Sequence, residues 1–254
     1  PQYQSTIDFV SRKIGRINQT ISTKDAYFGP SAFIDLIHQL QLDISGADIS
    51  FCAPLSFNAE IREGDIYMSD MFNLYKYENM LYVMQLSGQE IKDFLEMSYA
   101  IWTNQMKSAD DHILLLNEED KGFGRFKNPS FNFDSAAGII YTVDVTKPQG
   151  EKIRIESMAD GTPFSLQKIY KVAVNSYRGN GGGDLLTKGA GIPKSELSKR
   201  IVFSTDKDLR YYLMKRIEEV KTLDPKPLNQ WRFVPEEWTR PAIERDYQLL
   251  FGNK

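Results

Sequence analysis

The stretch from Tyr170 to Asp184 constrains the fold more than any other part of the chain. It reads Tyr170-Lys171-Val172-Ala173-Val174-Asn175-Ser176-Tyr177-Arg178-Gly179-Asn180-Gly181-Gly182-Gly183-Asp184. Its first half is apolar and β-branched, the composition of a strand. The chain then passes an Asn and a Tyr and breaks into glycines. Glycines admit positive φ and let another group approach the backbone closely. An aromatic ring just ahead of such a loop is a natural wall for a flat heterocycle. Taken locally, the same residues also describe a glycine-rich turn whose Tyr packs on the core. A phosphate-binding P-loop is excluded, because no Gly-Lys-Ser/Thr follows the glycines.

A second informative segment runs from Asp65 to Ser98. Ser69 and Asp70 are placed to cap a short helix. Met80 to Leu86 is an apolar strand. Ser87 with Glu90 three residues on forms a capping box, and Ile91, Phe94, Leu95 and Ser98 then share one helical face. Upstream, Pro30-Ser31 opens a helix with Phe33, Ile34, Ile37 and Leu40 as its apolar stripe. Downstream, Gly138 to Val145 and Glu151 to Met158 read as strands, with Asp160-Gly161 as a turn. Ser204 or Thr205 is expected to cap a helix from Asp206 to Lys221, with Leu209, Tyr212, Leu213, Ile217 and Val220 inward. Lys107 to Asn128 reads as a surface excursion containing a solvated His112. The residues from Asp224 onward read as an irregular surface tail.

Composition narrows the function classes. The 254 residues are 41% hydrophobic, enough for one large domain or two small lobes. The net charge is −3, so no basic face for nucleic-acid phosphates is implied. No apolar run approaches the roughly 20 residues of a membrane span. The single cysteine, Cys52, lies in the apolar run Ile49-Ser50-Phe51-Cys52 and reads as a buried hydrophobe. The two histidines, His38 and His112, are far apart and lack metal-ligand spacing. His38 is expected at the surface or facing a neighbouring domain. No Asp-x-His followed by Gly-Asn-His occurs, and no Ser-His-Asp set. No catalytic and no metal-ligating residue is therefore expected in this chain. The absence of an initiator Met or leader fits a mature secreted protein or an excised domain.

Together the segments resemble the C-terminal domain of the 5'-nucleotidase family, most closely its bacterial branch of 2',3'-cyclic-nucleotide 2'-phosphodiesterases/3'-nucleotidases. That branch shows Leu-Tyr-x-Tyr-Pro-Asn-x-Leu, then Thr-Gly-x-x-(Val/Leu)-Lys and Leu-Glu-Met-Ser. Here they read Leu74-Tyr75-Lys76-Tyr77-Glu78-Asn79-Met80-Leu81, Ser87 to Lys92 and Leu95-Glu96-Met97-Ser98. The family's Asn-x-Tyr-Arg-x-x-Gly-Gly-Gly reads Asn175 to Gly183, and its Tyr-Asn-Phe-Asp reads Phe131-Asn132-Phe133-Asp134. The resemblance runs from about Pro30 to about Glu219. It implies a layered α/β/β/α fold with mixed sheets over residues 30–254, preceded by a connecting segment over residues 1–29.

The resemblance also implies a site. Two aromatic rings sandwich the nucleobase in this family, and here they are Tyr77 and Tyr177. Such stacking is worth roughly 1–3 kcal/mol per base and tolerates any base. Asn79 and Asn175 would contact the base edge or fix the loops, and Gly181, Gly182 and Gly183 would let main chain lie beside the sugar. Asn58, Arg178 and Asp184 are further expected contacts. Two departures touch specificity. Many 5'-nucleotidases carry Asn-Gly-Gly-Gly-Ile-Arg where this chain has Ala53-Pro54-Leu55-Ser56-Phe57-Asn58, so Asn58 replaces a nucleotide-binding Arg. The acidic residue that holds the ribose hydroxyls aligns with Gly183, leaving Asp184 one place late. By resemblance the chain is the substrate-recognition part of an exported bacterial nucleotidase or cyclic phosphodiesterase, periplasmic or at the cell surface. Its partners would be a nucleoside or nucleotide and a metallophosphoesterase domain, in cis or in trans, that carries two divalent metals. The alternative is a free-standing nucleoside-binding protein without a hydrolase partner.

Overall fold

Val172, Ala173 and Val174 are fully buried because their strand lies between two others and its alternate residues face two different cores. Tyr170, Val172 and Val174 belong to one hydrophobic cluster, with Ile91, Phe94 and Leu95. Ala173 belongs to the other, with Phe33, Ile34 and Ile37. The computed structural model describes residues 2–120 and 125–252. Pro1 of the expected connecting segment and residues 121–124 of the expected excursion lie outside the described residues.

In chain order the elements begin with α1 (Gln2–Val10), β1 (Lys13–Ile17), β2 (Ile21–Ser22), α2 (Ala32–Ser45) and β3 (Ile49–Cys52). Next come β4 (Glu60–Ile61), β5 (Gly64–Tyr67), α3 (Asp70–Leu74), β6 (Met80–Ser87) and α4 (Gly88–Trp102). Strands β7 (Ser135–Ala137), β8 (Ile139–Asp144), β9 (Ile153–Met158) and β10 (Ile169–Asn175) follow, then the one-turn helix α5 (Ser176–Gly179). The chain finishes with α6 (Leu197–Arg200), β11 (Ile201–Asp208), α7 (Leu209–Val220), β12 (Thr222–Leu223), β13 (Trp231–Val234) and α8 (Glu236–Phe251).

The main sheet has the order β11-β6-β10-β3-β7, and two smaller sheets run β12-β1-β5 and β13-β8-β9. All three mix parallel with antiparallel pairs, so the fold is mixed α/β. The local signals explain why the elements start where they do. The Ser31 side chain caps α2, and Ser87 with Glu90 makes a complete capping box on α4. Ile91, Phe94, Leu95 and Ser98 are all fully buried. Residues 13–28 contribute Ile14, Ile17, Ile21, Ala26 and Tyr27 to the buried clusters.

Several expectations are corrected. The helix expected from Asp206 starts at Leu209 and is capped by the Asp208 side chain, because residues 201–208 extend β6 as a strand. Leu209, Leu213 and Ile217 face inward; Tyr212 is half-buried and Val220 is exposed. Ser69 stands at the start of α3 but makes no side-chain cap, while Asp70 accepts from the Tyr67 amide at 2.7 Å. The stretch after Asp224 is not an irregular tail. It supplies β13, parallel to β8 with Trp231 opposite Tyr141, and then α8. The excursion after Lys107 buries Ile113, Leu114 and Phe126. It is held to α8 by Asp246, whose buried carboxylate accepts from the Ile113 and Leu114 amides and is bonded to His112. His112 is thus exposed but tied.

His38 is the largest correction: it is fully buried, not at a surface. Its Nδ1 lies 2.8 Å from Ser50 Oγ on β3 and its Nε2 3.1 Å from Ser135 Oγ on β7. The ring therefore pins α2 across two neighbouring strands. Burial holds its pKa down to about 3, against an ordinary value of 6.5. Between those values the unfolded chain binds a proton that the folded chain refuses, so stability falls as pH drops below 6.5. Asp35, one turn earlier, is pushed up by burial to about 6 from 3.8 and acts in the opposite sense over its own window. Replacing His38 by Gln isolates the imidazole. The stability difference between wild type and His38→Gln, from urea unfolding at pH 7, 6, 5 and 4, is expected to shift against the wild type by about 1.4 kcal/mol per pH unit below 6.5. A difference that stays flat across that range would show that the imidazole is not held neutral.

Candidate functional site

The antiparallel pairing of β6 with β10 sets Leu81 opposite Asn175 and Ser87 opposite Ile169. The segment leading into β6 and the turn leaving β10 therefore meet at one rim of the sheet. Tyr77 lies in the first and Tyr177 in the second. Both rings are half open to solvent, at 39% and 42% exposure. They line a single cleft of about 240 Å³ together with Leu55, Asn79, Phe131 and Asn175. None of these side chains is charged, and three are aromatic. The lining suits an uncharged flat ring and itself holds no charge to neutralise a phosphate.

The residues behind the cleft hold its walls. Asn175 ends β10 and caps α5, its side-chain oxygen accepting from the Arg178 amide at 2.8 Å. The expected glycine loop thus begins with a capped helical turn that carries Tyr177. Asn79 donates to the buried Tyr75 hydroxyl and accepts from Ser176 Oγ, both at 3.5 Å. Burial pushes the Tyr75 phenol up, so it stays protonated. Ser176 Oγ also accepts from the Met80 amide at 3.1 Å, which ties the two rims together. On the Tyr77 side, Leu209 donates its amide to the Asn79 carbonyl at 2.9 Å, and Glu78 pairs with Arg210 at 2.8 Å.

The structure brings together Tyr77, Asn79, Asn175 and Tyr177 and leaves the other expected residues off the cleft lining. Asn58 is exposed and lies off the cleft lining. Arg178 is 1% exposed and paired with Asp134 at 2.8 Å. Burial raises the Asp134 carboxyl, and the guanidinium works the other way. Asp184 pairs with Lys188 at 2.8 Å. The three glycines do not line the cleft; Gly182 and Gly183 make room for its wall and for the residues behind it. A β-carbon on Gly182 would sit 2.5 Å from the Tyr177 ring, and one on Gly183, at φ +73°, would collide with Asn132 and Arg178.

Two lining residues, Leu55 and Phe131, are absent from the expected site. Phe131 carried a signal, since it begins the Phe-Asn-Phe-Asp segment; its ring meets Tyr177 edge-on, 6.2 Å between centroids at 82°. Leu55 gave none beyond its place after β3. Two wider grooves, of about 430 and 500 Å³, lie beside α8 and share Asp25, Phe28 and Ile243; both have charged side chains in their lining, unlike the tyrosine cleft. Among the described residues no group of three or more His, Cys, Asp or Glu is arranged to hold a metal ion, and no helix is long and apolar enough to cross a membrane.

Comparison with known proteins agrees with this architecture. The family described as 5'-nucleotidase, C-terminal domain, matches residues 13–188. The chain belongs to that family. Over 95% of its length it is 28% identical to the trifunctional nucleotide phosphoesterase YfkN of Bacillus subtilis, of which it spans 18%. Over 92% of its length it is 24% identical to the 2',3'-cyclic-nucleotide 2'-phosphodiesterase/3'-nucleotidase of Haemophilus influenzae, of which it spans 39%. The 5'-nucleotidase precursor of Thermus thermophilus superposes on 92% of the chain with a TM-score of 0.66 at 20% identity; 41% of that chain is covered. The chain therefore corresponds to well under half of each of these relatives.

The packing of Gly182 against Tyr177 gives a direct test of the wall. Gly182→Ala is expected to destabilise the fold by about 1–3 kcal/mol through overpacking, read as a lowered denaturant midpoint with unchanged slope. An unaltered midpoint would mean that the ring stands clear of the glycine turn.

Proposed function

We propose that this chain is the nucleoside-recognition part of a nucleotidase or cyclic-nucleotide phosphodiesterase. The observation that carries the reading is the pair of half-exposed tyrosines, Tyr77 and Tyr177, on separate elements but lining one uncharged cleft with two asparagines. A nucleobase is flat, uncharged and edged with donors and acceptors, which is what these walls and amides complement. The family membership and the names of the relatives support the same substrate class.

In this reading the cleft fixes the base while the charged end of the substrate projects beyond it. The phosphate then meets a separate metallophosphoesterase domain, where two divalent metals supply the hydrolytic chemistry. In this reading the role of this chain is placement. Holding a reacting group in position removes much of the entropic barrier to its reaction. The proposal places the whole protein outside the cytoplasmic membrane, in the periplasm or at the cell surface. The alternative of a free-standing nucleoside-binding protein shares the cleft and differs only in lacking the hydrolase partner.

Binding separates the tyrosine sandwich from a merely packed pair. Adenosine titrated into the chain is expected to bind weakly. Tyr77→Ala or Tyr177→Ala is expected to cost about 1–3 kcal/mol of that binding, and Tyr→Phe at either position to keep most of it, because the ring face makes the contact. Calorimetry showing adenosine bound equally well by the double Ala variant would sink the assignment. The chain is also expected to leave nucleotides intact when divalent metals are added. Metal-dependent turnover that survives purification and tracks the protein through chromatography would contradict the placement role.

A further inference from the structure

Arg178 has the chemistry of an anion ligand and none of the access. Its Nε and Nη2 donate to the two oxygens of Asp134 at 3.0 and 2.8 Å. Nη1 donates to Asn132 Oδ1 at 3.0 Å and to the Gly182 carbonyl, and Nη2 also reaches the Phe131 carbonyl at 2.7 Å. A guanidinium carries five N–H groups, and these five acceptors use all of them. No donor remains for a phosphate or sugar.

The same side chain lies against the cleft wall. Its guanidinium carbon sits 5.4 Å from the centroid of the Tyr177 ring, within cation–π range. Phe131, whose carbonyl the guanidinium holds, meets that ring edge-on. Gly182, whose carbonyl it also holds, is the residue whose missing β-carbon makes room for the ring. One buried cation thus touches the ring and anchors both of its neighbours. The hold on Tyr77 is looser: the cation over its ring is the exposed Lys76 ammonium, 5.6 Å from the centroid, and its loop leans on the Leu209 amide and on the Glu78–Arg210 pair, in which Glu78 is 81% exposed.

We propose that Arg178 is a positioning residue that immobilises Tyr177 as the fixed jaw of the cleft, with Tyr77 as the adjustable one. The proposal rests on the nucleoside reading for its consequence, since a ring already ordered loses less freedom when a base stacks on it.

Replacing the pair by apolar groups of similar size, Arg178→Met with Asp134→Leu, removes the clamp without leaving a lone buried charge. Two readouts are taken on the whole chain: adenosine affinity by calorimetry, and the mobility of the Tyr177 ring by aromatic ¹³C relaxation, with the signal assigned through Tyr177→Phe. The expected result is a folded variant with a loosened Tyr177 ring and about tenfold weaker adenosine binding, while ring mobility at Tyr77 is unchanged. A folded variant whose Tyr177 ring is as ordered as in the wild type, or whose adenosine affinity is unchanged, overturns the proposal. Should the double variant fail to fold, Arg178→Lys, which keeps the charge but not the fork, is read by the same two measurements against the same criteria. If the wild type binds no adenosine yet the ring loosens in the variant, the nucleoside reading fails and the clamp stands.

Discussion

The ladder between β6 and β10 is the constraint on which the site depends. Seven residue pairs, from Ile169 with Ser87 to Asn175 with Leu81, fix where the two strands end relative to one another. Tyr77 precedes one end and Tyr177 follows the other, so strand register brings the two tyrosines to one rim. A slip by one residue would turn Val172 and Val174 toward the wrong core and carry Asn175 away from Asn79. The two hydrophobic clusters on opposite faces of the sheet forbid that slip, because alternate residues of β10 are committed to different neighbours. Core packing and site geometry are here one requirement.

Much of this was legible in the residues. The box of Ser87 with Glu90, the stripe of Ile91, Phe94 and Leu95, and the apolar run of β10 each follow from a local rule, and each is where the rule puts it. The mixed α/β class follows from them. The parts that were not legible depend on distant partners. Pro225, Pro227, Pro235 and Pro241 make the last segment look irregular, yet Pro235 directly precedes α8 and Pro241 lies inside it. Residues 204–208 are polar enough to suggest a helix start, yet pairing with β6 makes them part of a strand. His38 looks like a surface residue until Ser50 and Ser135, from two different strands, arrive on either side of its ring.

The cleft shows the same division. The tyrosines and asparagines can be named from the chain because they stand in recognisable motifs. The part played by the glycines cannot, since what matters is which side chain occupies the space of the missing β-carbon. Gly182 makes way for Tyr177, and Gly183 for Asn132 and Arg178. Phe131 reaches the cleft with its ring edge-on to Tyr177 of α5, a distant contact that no local pattern announces.

The parallel pairs of β1 with β12 and of β8 with β13 have a bearing on how the chain acquires its structure. Arg16 lies opposite Thr222, and Tyr141 opposite Trp231. Two of the three larger sheets thus wait for residues made more than two hundred and about ninety positions later. Closing loops of that size costs entropy before any contact repays it, which slows folding. During synthesis β1 emerges long before its parallel neighbour exists, with Ile14 and Ile17 lacking one of their final neighbours. A chain built this way reaches its native sheets late, and in the meantime its early strands are the ones exposed to mispairing.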